Sequence, residues 1–215
     1  RVTGTNTYIG DTTVQAGNFQ VNGSITSNVT VNAGTTLSGI GTIHGTVTNS
    51  GSIIPGNSIG TLTVDGPVNF DCGSNLTIQI DNTSNSKLVS TGIINIAPGC
   101  VDLNLEALSG FTKFGSRLDI MTSAGIVGTF NRINTNSPFL GVDLIEYNSD
   151  GTLSINLNLA DVDFVLPPSN AKNVGKTITT LIDQGNTSLY PVLASLLALG
   201  NDTAAIQSAL NEMQP

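Results

Sequence analysis

A short phrase recurs along the first hundred residues and limits what the chain can fold into. It reads VQAGNF at Val14 to Phe19, VNAGTTL at Val31 to Leu37, VTNSGSI at Val47 to Ile53 and VDGPVNF at Val64 to Phe70. The leading valines fall 17, 16 and 17 residues apart, Gly17, Gly34 and Gly51 fall 17 apart, and Gly66 supplies a further turn glycine. Repeats made of helix pairs need about 33 residues or more, so this period suits one coil of a β-solenoid. Within each period apolar residues alternate with Thr, Asn, Ser or Gln, as in Leu76-Thr-Ile78-Gln-Ile80 and Val101-Asp-Leu103-Asn-Leu105. Such alternation, rich in β-branched residues, marks half-buried strands. The pairs Asn22-Gly, Ser38-Gly, Ser50-Gly and Asp65-Gly mark corners, where glycine supplies the positive φ of a sharp turn. Phrases in constant order predict stacked coils that pair in parallel around an aliphatic interior. At about 4.8 Å per coil, roughly six coils between residues 10 and 105 would make a rod on the order of 30 Å long.

Composition supports this picture. Aromatics make up only 5% of the chain and Trp is absent, so the core must be built of Val, Ile and Leu. Only 7 of 215 residues are basic and the net charge is -8, which leaves no positive stripe for nucleic acid or anionic lipid. No run of 18 apolar residues is present, so no membrane-spanning helix is expected. Arg1 is not an initiator Met and the repeat is running by Thr5, so the chain reads as a processed piece with further coils expected before it.

From about Glu106 the tight period dissolves while strands persist, ending in the strictly alternating LSINLNL of Leu153 to Leu159. Five of the seven phenylalanines, Phe111, Phe114, Phe130, Phe139 and Phe164, lie in this region, which predicts a cap with larger side chains. Pro167-Pro168 closes it. Ser169 or Asn170 can then cap a helix with Val174, Ile178, Leu181 and Ile182 on one face, ending at Gly185. A second helical segment covers Leu189 to Leu199 with Pro191 in its first turn, and a third begins at Asn201 or Asp202. The expected organisation is β-helical coils over 1–105, a β cap over 106–168 and a helical tail over 169–215.

Cys72 and Cys100 lie 28 positions apart. They are either a disulfide of an oxidising compartment, worth roughly 3 to 4 kcal/mol, or two buried thiols. The sharpest catalytic candidate is Gly56-Asn57-Ser58-Ile59-Gly60, a GxSxG match. A nucleophile elbow needs a strand before it, a helix after it and a histidine base. Here a strand follows, and the one histidine, His44, precedes the serine and reads as an exposed turn residue between Gly41 and Gly45. Asp161 and Asp163 form an alternate-residue acid pair without a calcium repeat, and Ser84 to Lys87 and Ser169 to Lys172 both read SxxK. None of these makes a site by itself, so no enzyme activity, catalytic residue, cofactor or metal is expected.

Taken in order, VNAGTTLSGIGTI and GSIIPGNSIGTLTV (31–43 and 51–64), Lys87-Leu88-Val89, and FTKFGSRLDIMTSAGIVGTFNRINTNSPFLGVDLIEY (111–147) resemble the C-terminal passenger region of bacterial autotransporters, the type V secretion family. The tail from Asn170 is similar to the stretch that leads into the family's translocator. The resemblance implies a right-handed parallel β-helix, export through the outer membrane to the medium or the cell surface, and an autochaperone segment that folds first. Phe111, Phe114, Ile120, Phe130, Phe139, Leu144 and Tyr147 would form the core of that segment. The implied partners are an outer-membrane barrel and upstream passenger coils, the chain itself being a monomer. The implied role is that of a stalk and folding template that presents a virulence factor. A different reading makes the coils themselves an adhesin for a host cell-surface protein.

Overall fold

The alternation of β-branched residues with polar ones does produce short strands, and the glycine-marked corners between them turn the chain. A computed structural model describes residues 1–160 and 170–213. Among these, the strands run in threes. The first three sets are β1 (Thr5–Asn6), β2 (Thr12–Val14), β3 (Asn18–Gln20); β4 (Ser24–Ile25), β5 (Val29–Val31), β6 (Thr36–Gly39); and β7 (Thr42–Ile43), β8 (Val47–Asn49), β9 (Ser52–Pro55). The next are β10 (Thr61–Val64), β11 (Val68–Phe70), β12 (Asn75–Ile80) and β13 (Lys87–Ser90), β14 (Ile93–Ile96), β15 (Asp102–Ala107). A sixth set, β16 (Arg117–Thr122), β17 (Gly125–Val127) and β18 (Arg132–Thr135), is followed by the long pair β19 (Leu140–Tyr147) and β20 (Thr152–Leu159).

Each strand pairs with the strand three places on, so the chain visits three sheets in fixed cyclic order. The sheets run β1-β4-β7-β10-β13-β16-β20-β19, β17-β14-β11-β8-β5-β2 and β18-β15-β12-β9-β6-β3. All pairing between successive sets is parallel, and only β16–β20 and β19–β20 are antiparallel. The protein is therefore mainly β, with parallel sheets and few helices. The sixth set lies beyond Glu106, in the stretch where the tight period dissolves, and only five sets precede it.

Register places like residues in columns. Val29, Val47, Val68, Ile94 and Ile126 stack in one sheet, and Leu37, Ile53, Leu76, Leu103 and Ile133 in another. All of these but Ile126 and Ile133 are buried, and burying each such aliphatic side chain is worth about 1.5–3 kcal/mol. The valines that open the recurring phrases do not form a single column, however. Val14 pairs with Val31, but the next residue in that column is Asn49, and Val64 pairs with Ile43 in a different sheet. The corners absorb one or two residues per set, and that slippage breaks the phrase register. Asn49 is fully buried yet satisfied, its amide oxygen accepting from Gly51 N at 3.1 Å and its nitrogen donating to Asn75 O at 3.4 Å.

The glycines serve two purposes. Gly17 and Gly34 have φ of +70° and +77°, as the sharp-turn argument requires. Gly51 does not adopt a positive φ. A Cβ there would come within 2.4 Å of Thr35 O and 2.5 Å of Asn32 O, so it is the close approach of the preceding corner that excludes a side chain.

The helices are α1 (Asn170–Asp183), α2 (Tyr190–Leu197), with Pro191 in its first turn, and α3 (Thr203–Glu212), whose cap Asp202 accepts from Ala205 N at 3.0 Å. α1 buries Ala171, Ile178 and Ile182, while Leu181, expected on that face, is 36% exposed. Asn201 bonds to the strand region instead of capping, its side chain donating to Thr135 O at 2.9 Å. No helix among the described residues is long and apolar enough to cross a membrane. Asp161, Asp163, Phe164, Pro167, Pro168 and Ser169 lie outside the described residues, and with them the acid pair, the double proline and the second SxxK.

Candidate functional site

The C-terminal end of the stacked strands gathers most of the large side chains. Phe111 and Phe114, in the link between β15 and β16, meet edge to face with ring centroids 5.4 Å apart. Phe130 meets Phe70 in the same manner at 6.2 Å, and its backbone N–H donates to the Tyr147 hydroxyl at 2.9 Å. Phe111, Ile120 and Phe139 are buried, whereas Phe114, Phe130 and Tyr147 are half-buried. Burial pushes the Tyr147 phenol above its ordinary range, and the Phe130 N–H opposes that shift in part.

Leu144, expected in this core, is 47% exposed. The cause is a β-bulge: Val142 pairs with Leu157, but Leu144 pairs with Asn156 and Ile145 with Ile155. The extra residue, Asp143, shifts the alternation by one, so Val142, Ile145 and Tyr147 face Leu157, Ile155 and Leu153 while Leu144 turns outward. β19 is also the edge strand of its sheet, so nothing covers its outer face there.

Cys72 and Cys100 form a disulfide, with their Cα atoms 4.8 Å apart. Cys72 follows β11 and Cys100 precedes β15, so the bond staples the corner of the fourth set to that of the fifth. The backbone reinforces this through Gly73 N, which donates to Cys100 O at 2.8 Å.

The GxSxG turn lies between β9 and β10, with a strand on both sides and no helix after it. Ser58 is the one non-glycine residue at positive φ among the described residues, at +104°. His44 sits at the far end of β10, its Nδ1 3.3 Å from Asp65 Oδ2. Hydrogen bonds from the Thr91 hydroxyl and then from His44 hold the Asp65 carboxyl below its ordinary range. The four residues of β10 span about 13 Å and separate Ser58 from this pair. The structure therefore unites His44 with Asp65 but brings Ser58 to neither. The pairing of His44 with Asp65 across adjacent corners had no signal in the sequence, because it depends on the register.

No family model matches the chain. Two curated proteins resemble most of it, both named as extracellular serine proteases of Serratia marcescens. One is 33% identical over 187 residues, covering 83% of this chain, and the other 28% identical over 190 residues, covering 84%. The chain spans only 18% of the length of either relative. These matches correct the expectation of no link to an enzyme, since both relatives carry a protease name.

Proposed function

We propose that this chain is the C-terminal β-helical passenger part of a secreted autotransporter of the serine protease kind. In this reading it is a right-handed parallel β-helix that carries the rest of the passenger outward and templates its folding. The observation that supports this most directly is the asymmetry of the two ends. All three sheets terminate at the N-terminal side in short strands, β1, β2 and β3, each pairing on one side only. At the other side the longest sheet is finished by the antiparallel pair β20–β19. An edge strand with free backbone groups accepts a further parallel strand, whereas an antiparallel hairpin with a bulge terminates growth. Coils arriving from the N-terminal side would therefore add in register to a finished end.

On this reading the protein is extracellular or surface-displayed, and its partners are its own upstream coils and an outer-membrane barrel. Protease activity belongs to the longer protein of which this stretch is the support. The test is a full-length precursor lacking residues 106–160, followed by pulse-labelling and protease digestion of intact cells. The expected result is severalfold slower appearance of protease-resistant passenger outside the cell. An unchanged rate would remove the templating role.

A further inference from the structure

The outer face of the longest sheet carries a polar cleft of about 560 Å³, within the size range of small-ligand sites. Its floor is formed by β10, β13 and β16. One wall is the loop between β12 and β13, and the other is the β19–β20 turn. The loop is held in place by Asp81, whose Oδ1 accepts from Thr83 N and Ser84 N at 2.7 Å each. In the opposite wall Asp150 Oδ1 accepts from Thr152 N at 2.9 Å.

The side chains lining the cleft are fixed before any ligand arrives. Arg117 pairs with Glu146 at 2.9 Å and donates to Ser154 Oγ at 3.1 Å. Ser154 Oγ in turn donates to Asp119 Oδ1 at 2.7 Å. The Asn85 amide donates to Ser86 O at 2.9 Å and Asp119 O at 3.0 Å, and that of Asn148 to Thr152 O at 3.1 Å. Among the described residues, neither amide oxygen accepts a bond from the protein, so both remain available as acceptors. Lys87 adds three donors, and Ser84, Thr61 and Thr152 add hydroxyls that serve either way.

Charge selects among ligand classes. Lys87 and Arg117 are balanced by Asp119 and Asp150, so a polyanion would meet two carboxylates in a chain of net charge -8. Leu118 is the one apolar side chain in the lining, which gives a hydrophobic ligand little to bury. A ligand whose groups each donate and accept satisfies alternating acids, amides and cations without carrying charge. We infer that this cleft binds a neutral oligosaccharide through hydroxyl contacts with Asn85, Lys87, Asp119 and Asn148.

The test is a nitrogen-15 NMR titration of the whole chain with cellotriose and with the trimer of N-acetylglucosamine, beside trigalacturonate as an acidic comparator. Concentrations reach about 10 mM, where a millimolar site is largely filled. The expected result is saturable shifts confined to the cleft with a neutral trimer, weakened at least tenfold by Lys87→Ala and by Thr61→Ala. Both substitutions lie outside the core, and unchanged spectra elsewhere report that each variant folds. No saturable shift with either neutral trimer, shifts outside the cleft, equal binding by both variants, or binding of trigalacturonate alone would each overturn the inference. None of these outcomes bears on the templating role, which concerns the strand edges.

Discussion

The Tyr147 hydroxyl accepts the Phe130 N–H across the cap at 2.9 Å, and its ring lies half-buried behind it. Tyr147→Phe is expected to cost about 1 kcal/mol, read from urea midpoints at neutral pH. Burial raises the phenol above its ordinary value of 10.0, so the folded state favours the neutral form. That contribution is fully present below the unfolded value and is lost as pH rises through the folded one. Urea midpoints should therefore fall more steeply above about pH 10 in the native chain than in Tyr147→Phe, and equal slopes would exclude this assignment. Gly39 has φ +120° and a Cβ there would stand 2.0 Å from Val21 O, so Gly39→Ala should cost about 3 kcal/mol in the same assay. Here the sequence was a partial guide. Ser38-Gly announced a corner, but nothing in it distinguished a glycine needed for its φ, such as Gly17, from one needed for close approach, such as Gly51.

Among the elements, the disulfide is the clearest stabilising staple. Cys72 and Cys100 enclose 28 residues, and on the chain-entropy model opening that loop costs about 3.5 kcal/mol. The double variant Cys72→Ser with Cys100→Ser should show that loss in equilibrium unfolding, and the reduced native chain should match it. Period-two alternation identified the strands because every strand between β4 and β15 faces one aliphatic interior. The stacking register was not legible, since it depends on how many residues each corner takes up. The β19 bulge was equally hidden: in LGVDLIEY either Leu144 or Ile145 could face inward, and only pairing with β20 decides. The pairing of cysteines was an open alternative for the same reason, because it required knowing that the two corners are stacked.

For the whole molecule, a stack in which each set of strands touches mainly its neighbours should lose stability piecewise from one end. Removing residues 1–21 is expected to leave a folded remainder with a proportionally smaller urea m-value. Removing residues 137–160 exposes the last parallel strand of the longest sheet and should abolish cooperative unfolding. Circular dichroism with urea titration distinguishes the two, and equal tolerance of both deletions would contradict the end asymmetry. The class of fold was legible in the recurrence alone. The connection to a protease was not, because the GxSxG turn leads nowhere in this stretch and the relatives' name attaches to proteins of which it spans 18%.

The sets also lengthen along the chain: Thr12 pairs with Val29, 17 residues on, whereas Ile94 pairs with Ile126, 32 residues on. This grading gives the molecule a mechanical signature. Pulled from its N-terminus with the other end tethered, it should give way set by set, in steps that grow from about 60 Å to about 110 Å of extended chain. With the disulfide intact, the 28 residues it encloses cannot pay out, so close to 100 Å of length should be missing from the trace until a reductant is added.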